Sequence, residues 1–296
     1  MRNVLITGGE GQLGQSFLSL KDFAEGLGLR LFLVGRSQLD ITDEDAVSRY
    51  LCDNRIDAVV NAAAYTAVDK AESEVENAFL VNAMGAEVLA KCCAQNDSWM
   101  THISTDYVFD GQSESCYHED SEVNPLSVYG SSKLKGEEAV LRLLPEAAVI
   151  RTSWVFSEFG QNFMKTMLRL AHDRDALSIV ADQRGAPTYA PHIAELVLCL
   201  IHKKYSEDVT ASGVFHFTGA PATTWFAFAE YIFEQAATRS SKFAAPKLTP
   251  IDTASYPTAA VRPQNSVLGM GKLEQQFSAL NNSWQQGVNQ ALEVLL

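Results

Sequence analysis

The sequence has no excess of positive charge and no long apolar run, and we expect no signal peptide. Its 23 Lys and Arg residues face 36 Asp and Glu residues, which gives a net charge of −13. Binding to a nucleic-acid backbone or an anionic membrane requires clustered positive charge. A membrane span requires roughly 20 consecutive apolar residues, and the chain has none. We therefore expect a cytoplasmic protein with no nucleic-acid partner and no membrane partner.

Cysteine is scarce, and its spacing is uninformative. The five cysteines, Cys52, Cys92, Cys93, Cys116 and Cys199, are odd in number and show no C-x-x-C or Cys/His spacing. Because disulfide frameworks and zinc sites depend on such spacing, neither is expected. The six histidines also lack ligand spacing, so we predict no metal site.

Short apolar runs alternate with longer periodic segments through the first half of the chain. Strands are expected at 4–7, 30–34, 58–61, 100–104 and 148–151, and helices at 13–23, 43–53, 74–95 and 128–144, the second capped by Thr42. This alternation predicts an α/β fold with a Rossmann-like, doubly wound parallel sheet. We expect a dinucleotide-binding domain at 1–156, joined again by 190–219, and an interleaved, smaller C-terminal substrate lobe at 157–189 and 220–296.

A glycine turn follows the first predicted strand and precedes the first helix. In Gly8-x-x-Gly11-x-x-Gly14, the first glycine would close a tight turn, the second would let the backbone approach a phosphate, and the third would allow close packing of helix and strand. Backbone N–H groups at such a helix start favour the pyrophosphate of a dinucleotide. We therefore predict that Gly8, Gly11 and Gly14 bind a dinucleotide cofactor.

The end of the second predicted strand bears on which dinucleotide binds. An Asp or Glu there is typical of NAD, whereas an Arg pairs with the 2′-phosphate of NADP. This chain has Arg36 there, and its first carboxylate, Asp40, comes later, where it would approach the adenine. We predict that NADPH is preferred and NADH tolerated.

Tyr129 and Lys133 have the spacing of a proton-donating pair. At positions i and i+4 of a helix, both side chains project from one face. A lysine charge at ~4 Å in an effective dielectric of about 20 is worth roughly 4 kcal/mol, or about three pKa units. We therefore expect Lys133 to lower the pKa of the Tyr129 phenol into a useful range. Thr105, at the end of the preceding strand, would donate its hydroxyl to a substrate carbonyl.

Together, the glycine turn, Thr105 and Tyr129-x-x-x-Lys133 resemble the extended short-chain dehydrogenase/reductase superfamily. Longer strings, spread over nearly the whole chain, are similar to the dTDP-4-dehydrorhamnose reductase family: L-D-I-T-D at 39–43, N-A-A-A-Y-T-A-V-D-K-A-E at 61–72, S-T-D-Y-V-F-D-G at 104–111, R-T-S-W-V-F at 151–156, D-Q-x-G-A-P-T at 182–188 and R-P-x-N-S at 262–266.

This resemblance implies the last step of dTDP-L-rhamnose synthesis, in which NADPH reduces the C4 keto group of a dTDP-linked 6-deoxy sugar. It assigns to the cofactor Gly8, Gly11, Gln12, Leu13, Asp40, Ile41, Ala62, Ala63 and Lys133. It assigns to the nucleotide-sugar substrate Thr66, Val68, Tyr107 and Trp154. Tyr129 would touch both, as the proton donor, and Thr105 would touch the substrate.

Two departures from the family bear on magnesium and assembly. In members that form magnesium-bridged dimers, a glutamate directly follows the last glycine, but Gln15 stands here. The expected acidic residue near 188–191 is also missing, and Glu195 is the nearest. Because a neutral amide is a weak magnesium ligand, we expect a metal-independent enzyme that is a monomer or weak homodimer.

Alternatives remain open. The 4,6-dehydratases carry a glutamate where this chain has Tyr107, so dehydration is disfavoured for lack of a base. Another nucleotide-sugar reductase or an epimerase is harder to exclude. The regulatory β-subunit of methionine adenosyltransferase also resembles this chain and binds NADP beside a partner enzyme. An exposed apolar tail at 288–296 would favour that alternative, whereas helix periodicity favours a tail docked on its own domain.

Overall fold

A six-stranded parallel sheet forms the centre of the protein. The computed structural model describes residues 1–207, 209, 211–277 and 281–296. The strands are β1 (Arg2–Thr7), β2 (Leu29–Val34), β3 (Ala58–Asn61), β4 (Trp99–Thr105), β5 (Ala148–Thr152), β6 (Val155–Phe156), β7 (Ala176–Val180), β8 (Arg184–Gly185), β9 (Thr188–Tyr189), β10 (Gly213–His216), β11 (Thr223–Thr224) and β12 (Lys247–Ile251). The central sheet has the order β10-β5-β4-β3-β1-β2. The predicted doubly wound fold is confirmed.

Helices cover both faces of this sheet and build the second lobe. They are α1 (Gln12–Ser19), α2 (Lys21–Gly26), α3 (Glu44–Asp53), α4 (Val68–Ala71), α5 (Val75–Phe79), α6 (Gly85–Gln95), α7 (Val128–Leu143), α8 (Phe163–Asp173), α9 (Ala190–Ser206), α10 (Trp225–Arg239), α11 (Gly271–Gln276) and α12 (Trp284–Leu295). Since β1 is buried over its last four residues and β3 and β5 are buried throughout, their near-continuous apolar sequences match a sheet covered on both sides.

The helix predicted at 74–95 is interrupted by a π-helical turn at Leu80–Met84. Within that turn, the buried Asn82 accepts a hydrogen bond from the Tyr65 backbone N–H at 2.8 Å and donates to the Ser132 hydroxyl at 2.9 Å. Gly136 of α7 packs directly against the Asn82 backbone carbonyl. These partners lie far away in sequence, so helical periodicity does not reveal the interruption. They tie the loop after β3 to α7.

Two helix boundaries also differ from expectation. The helix predicted at 13–23 breaks at Leu20, so that α1 and α2 are separate. The cap of α3 is Asp43, whose carboxylate accepts from the Ala46 N–H at 2.9 Å, and the expected cap, Thr42, instead donates to Asp40 at 2.7 Å. An aspartate and a threonine side by side both favour an N-cap, and the competing bond to Asp40 decides between them.

The core around the sheet and the core of the second lobe are separate, and the second half of the chain contributes to both. Helix α9 and strand β10 return to the core around the sheet, with Ile193 and Phe215 fully buried. A second core joins α8, α10 and α12 around Met164, Phe228 and Trp284. The C-terminal helix α12 therefore docks on its own lobe, as its periodicity predicts. No helix in the described ranges is long and apolar enough to cross a membrane.

Candidate active site

One cavity opens at the carboxyl ends of the central strands. It encloses about 790 Å³, within the range of small-molecule sites. The predicted site residues that line it are Gly8, Gly11, Gln12, Leu13, Arg36, Asp40, Ile41, Ala62, Ala63, Thr66, Val68, Thr105, Tyr107, Tyr129, Lys133 and Trp154. The structure thus brings together side chains from the first 155 residues of the chain, and Gly14 alone of the predicted set is not in the lining.

The glycine turn packs so closely on neighbouring backbone that larger residues at Gly8 and Gly14 would clash. Gly8 has a φ of +67°, and a Cβ there would lie 2.7 Å from the Ala62 carbonyl oxygen. Gly14 instead packs against the backbone of Gly8 and Gly9, where a Cβ would clash. No side chain caps α1, so its positive end stays open to an anion. The turn therefore fits a dinucleotide pyrophosphate, and Gly14 serves the packing of that turn.

Arg36 and Asp40 follow β2 at one end of the cavity. Arg36 is exposed, and no ion pair within the described part of the chain engages it. The Asp40 carboxylate accepts from the Thr42 backbone N–H at 2.9 Å and from the Thr42 hydroxyl. These bonds hold the pKa of Asp40 below its usual value, with a smaller contribution from Arg36. Arg36 is thus a cation available to a ligand, whereas Asp40 is already bonded.

Lys133 lines the cavity but is almost wholly buried, with 2% of its surface exposed. Its Nζ donates to the Ile103 carbonyl at 2.6 Å and lies 3.5 Å from Nε2 of His102. Burial lowers the pKa of Lys133 to about 8, and the negative charge of Glu137 opposes that shift. His102 is itself fully buried, and burial together with the Lys133 charge depresses its pKa. Lys133 is therefore held by groups that local spacing did not reveal.

The expectation that Lys133 lowers the pKa of Tyr129 is wrong. Burial raises the pKa of the Tyr129 phenol to about 12, the Thr105 hydroxyl opposes that shift, and the Asp106 charge adds to it. The ammonium of Lys133 is instead taken by the Ile103 carbonyl. Tyr129 therefore keeps its proton at neutral pH, which suits a proton donor. Its ring meets that of Tyr107 edge-on, with centroids 5.5 Å apart.

Asp106 is a lining residue that was not among the predicted site residues. It is 2% exposed, and its Oδ1 accepts from the Thr105 hydroxyl at 3.0 Å. Thr105 Oγ1 in turn accepts from the Tyr107 backbone N–H at 3.2 Å. Burial raises the pKa of Asp106 to about 6, against the effect of hydrogen bonding to Ser266 and Thr105. The sequence could have indicated this residue, because Asp106 lies inside the S-T-D-Y string at the end of β4.

Trp154 projects into the cavity from a backbone with φ of +46°, which non-glycine residues seldom adopt. Its indole stacks on that of Trp225, with ring centroids 3.6 Å apart and planes 10° apart. The Trp225 Nε1 donates to Gln183 at 3.2 Å. Since Trp154 lines the cavity and Trp225 does not, Trp225 supports Trp154 from outside. Nothing in the sequence pairs these two residues.

The loop before α8 lines the cavity and is bonded to the glycine turn. Oε1 of Gln12 accepts from Asn162 Nδ2 at 2.9 Å and from the Ser157 hydroxyl at 3.1 Å. Asn162 also caps α8 through the Lys165 N–H. The cap is readable from sequence, but the bond across 150 residues to Gln12 is not.

Gln15 and Glu195 are the two residues that bear on the expected absence of magnesium. Gln15 donates from Nε2 to the Gly9 carbonyl at 2.8 Å, and Glu195 lies exposed on α9. Over the described ranges, no group of three or more His, Cys, Asp or Glu residues has the arrangement of a metal site. Gln15 thus helps to hold the glycine turn.

Burial of Lys133 predicts a pH-dependent stability. Its pKa is about 8 in the folded chain against 10.5 for the free side chain. Between these values the unfolded chain binds the proton and the folded chain does not, so the free energy of unfolding rises with pH across this window. We expect the wild type to gain roughly 2 kcal/mol relative to Lys133→Met between pH 7.5 and 9.5 in urea unfolding.

The matched control is Lys135→Met, which removes an exposed ammonium from the same helix. Its stability difference from the wild type should be the same at both pH values. If the difference in unfolding free energy between the wild type and Lys133→Met is also the same at both pH values, burial does not lower the pKa of Lys133 as proposed.

The chain is similar to known proteins over its whole length. All of residues 1–296 match the model of a family described as RmlD substrate binding domain. A dTDP-4-dehydrorhamnose reductase from Aggregatibacter actinomycetemcomitans is 42% identical over 288 residues, which cover 97% of each chain.

Solved structures are similar over the same length. The dTDP-4-dehydrorhamnose reductase of Bacillus anthracis, in complex with NADP, has a TM-score of 0.91 and 32% identity over 99% of this chain and 100% of that chain. The reductase ortholog from Clostridium acetobutylicum has a TM-score of 0.90 and 35% identity over 99% of each chain.

Proposed function

The chain belongs to the RmlD substrate binding domain family, and from this premise we propose that it is a dTDP-4-dehydrorhamnose reductase. The reaction is the NADPH-dependent reduction of the C4 keto group of dTDP-4-dehydro-L-rhamnose to give dTDP-L-rhamnose. Support comes from relatives of that name, which match this chain over nearly its whole length, and from the NADP complex of a similar structure.

The residues of the cavity fit a dinucleotide cofactor. The turn from Gly8 to Gly11, which leads into the uncapped start of α1, is proposed to hold the pyrophosphate. The remaining residues proposed to hold the cofactor are Gln12, Leu13, Arg36, Asp40, Ile41, Ala62, Ala63, Tyr129 and Lys133, while Gly14 supports the turn. When bound, NADPH supplies the hydride that reduces the C4 carbon.

Side chains of this protein supply the proton that the C4 oxygen needs. The phenol of Tyr129, kept protonated by burial, donates to the C4 oxygen as negative charge develops there. Thr105 gives a second hydrogen bond to the same oxygen: its single hydroxyl proton, which is donated to Asp106 before substrate arrives, turns to the C4 oxygen when the sugar binds. The ammonium of Lys133, at the i+4 position from Tyr129, adds positive charge beneath the reacting group.

The substrate is proposed to lie between the two lobes. Thr66, Val68 and Tyr107 line one side of the cavity, and the Trp154 indole, supported by Trp225, offers a flat apolar face to a sugar ring. We propose that residues 1–156 and 190–219 form the dinucleotide-binding domain and that 157–189 and 220–296 form the substrate lobe. The separate core of α8, α10 and α12 supports that division, whereas Leu273 and Phe277 of the proposed substrate lobe pack in the core around the sheet.

The observation that carries this proposal is that Thr105, Tyr129 and Lys133 line the same cavity as the glycine turn. The test is an assay of the purified protein with NADPH and a panel of dTDP-, UDP- and GDP-linked 4-keto sugars. We expect NADPH oxidation with the dTDP substrate, and NMR should identify the product as dTDP-L-rhamnose.

Other outcomes would point elsewhere. Sugar conversion without net cofactor consumption would indicate an epimerase. No reaction with any sugar, together with capture of an adenosyltransferase in a pull-down, would indicate a regulatory subunit. Helix α12 docks on its own lobe through Val288, Ala291 and Leu292, which weakens that alternative, while Val294 and Leu296 at its end remain exposed.

Arg36 is predicted to set the cofactor preference. Its guanidinium is exposed at the cavity end that follows β2 and is free to pair with a 2′-phosphate. We expect kcat/KM to favour NADPH over NADH, and Arg36→Ala to narrow that ratio about tenfold, mainly through the KM for NADPH. Equal kcat/KM values for the two cofactors in the unaltered chain would contradict this prediction.

We propose a cytoplasmic enzyme that is a monomer or weak homodimer and needs no magnesium. A reducing compartment is consistent with its five free cysteines, and the engagement of Gln15 with the Gly9 carbonyl argues against a metal ligand there. Light scattering and activity should therefore be unchanged by EDTA. A dimer that forms only with magnesium would overturn this proposal.

A further inference from the structure

The glycine turn delivers an acidic side chain to the end of β2. The N–H of Gly9 donates to the Val34 carbonyl at 2.9 Å, which fixes the turn against the last residue of that strand. The next side chain, Glu10, then folds over Gly35. A Cβ at Gly35 would lie 2.7 Å from both Cδ and Oε1 of Glu10, so the carboxylate occupies the space that any larger residue at 35 would need.

This position matters because the end of β2 is where α/β dinucleotide sites meet the adenosine ribose. In NAD-binding sites an Asp or Glu stands there in sequence and accepts from the ribose 2′-hydroxyl. Here the sequence after β2 is Gly35-Arg36, without an acid, and the structure places Glu10 over the same spot. Glu10, Gly35 and Arg36 all line the cavity.

The carboxylate of Glu10 is also available. It is exposed, and across the described ranges no hydrogen bond or ion pair engages it. Asp40, the other acid at this end, is held by Thr42. The cavity end therefore offers one free cation, Arg36, and one free anion, Glu10, among its described residues.

We propose that Glu10 is a specificity-determining residue for the cofactor, acting against Arg36. Its carboxylate accepts a hydrogen bond from the ribose 2′-hydroxyl of NADH and repels the 2′-phosphate of NADPH. The enzyme thereby keeps a preference for NADPH but uses NADH as well. This inference rests on the proposed function and adds a residue that separates the two cofactors.

Calorimetric titration of Glu10→Gln with NADP⁺ and with NAD⁺ tests this role without turnover. We expect about fivefold tighter binding of NADP⁺, the size expected for one like charge in a partly solvated site, and about twofold weaker binding of NAD⁺. The NADP⁺ effect should shrink at higher ionic strength because salt screens the repulsion. Glu234→Gln is the control, since it removes the same charge from an exposed position on α10, outside the cavity lining.

A ratio of the two Kd values that changes by less than twofold in Glu10→Gln, or by the same factor in Glu234→Gln, would overturn the role of Glu10. Unaltered chain that binds neither dinucleotide would contradict the proposed function itself. If the chain binds NADP⁺ but Glu10→Gln does not change the ratio of the Kd values for NADP⁺ and NAD⁺, the proposed function is unaffected and only the role of Glu10 is contradicted.

Discussion

Replacing Tyr129 with phenylalanine should reduce kcat about 1000-fold. The variant removes one oxygen atom from a partly buried ring and leaves the C4 oxygen without its proton donor, a role that contributes on the order of 10² to 10⁴ in rate. The aromatic packing against Tyr107 should survive. We therefore expect the Kd for NADP⁺ to change less than threefold, so that the loss appears in the chemical step.

The matched control is Tyr107→Phe, which removes the neighbouring phenol of the same cavity. Because Tyr107 is proposed to contact the sugar and not to donate a proton, its kcat should fall less than tenfold. A Tyr129→Phe enzyme that keeps more than a tenth of its activity would show that another group delivers the proton.

Replacing Arg151 with methionine should lower the free energy of unfolding by about 4 kcal/mol. Arg151 and Glu137 form a buried ion pair whose side chains are 5% and 3% exposed. The guanidinium makes two parallel bonds, Nε to Oε1 at 2.9 Å and Nη2 to Oε2 at 2.7 Å, and Ser104 also donates to the Glu137 carboxylate. Removing Arg151 would leave a buried negative charge with a single hydroxyl partner.

Two comparisons isolate this effect in urea unfolding. The double variant Arg151→Met/Glu137→Leu removes both charges and should recover most of the lost stability. Arg142→Met breaks the Arg142–Glu87 pair between α7 and α6, whose side chains are 63% and 47% exposed, and should cost less than 1 kcal/mol. A double variant less stable than Arg151→Met would contradict the cost assigned to the unpaired charge.

Local sequence patterns predicted most of the central fold. The alternation of apolar runs and periodic segments placed the first five strands of the sheet within two residues at each end, because burial on both faces leaves a near-continuous apolar signature. One helix interruption was missed because its cause is remote. The π-helical turn at Leu80–Met84 depends on bonds from Asn82 to Tyr65 and Ser132, and no local pattern records those partners.

The sequence by itself determined the parallel sheet, the glycine turn and the spacing of Tyr129 and Lys133, because periodicity and i, i+4 spacing are properties of neighbouring residues. Only the tertiary structure decided the electrostatics. Burial, not the nearby lysine, sets the pKa of Tyr129, since the Ile103 carbonyl takes the Lys133 ammonium. The position of Glu10 over Gly35 was likewise decided by the docking of the turn on β2. Desolvation and distance depend on contacts between segments far apart in the chain, and these exist only after folding.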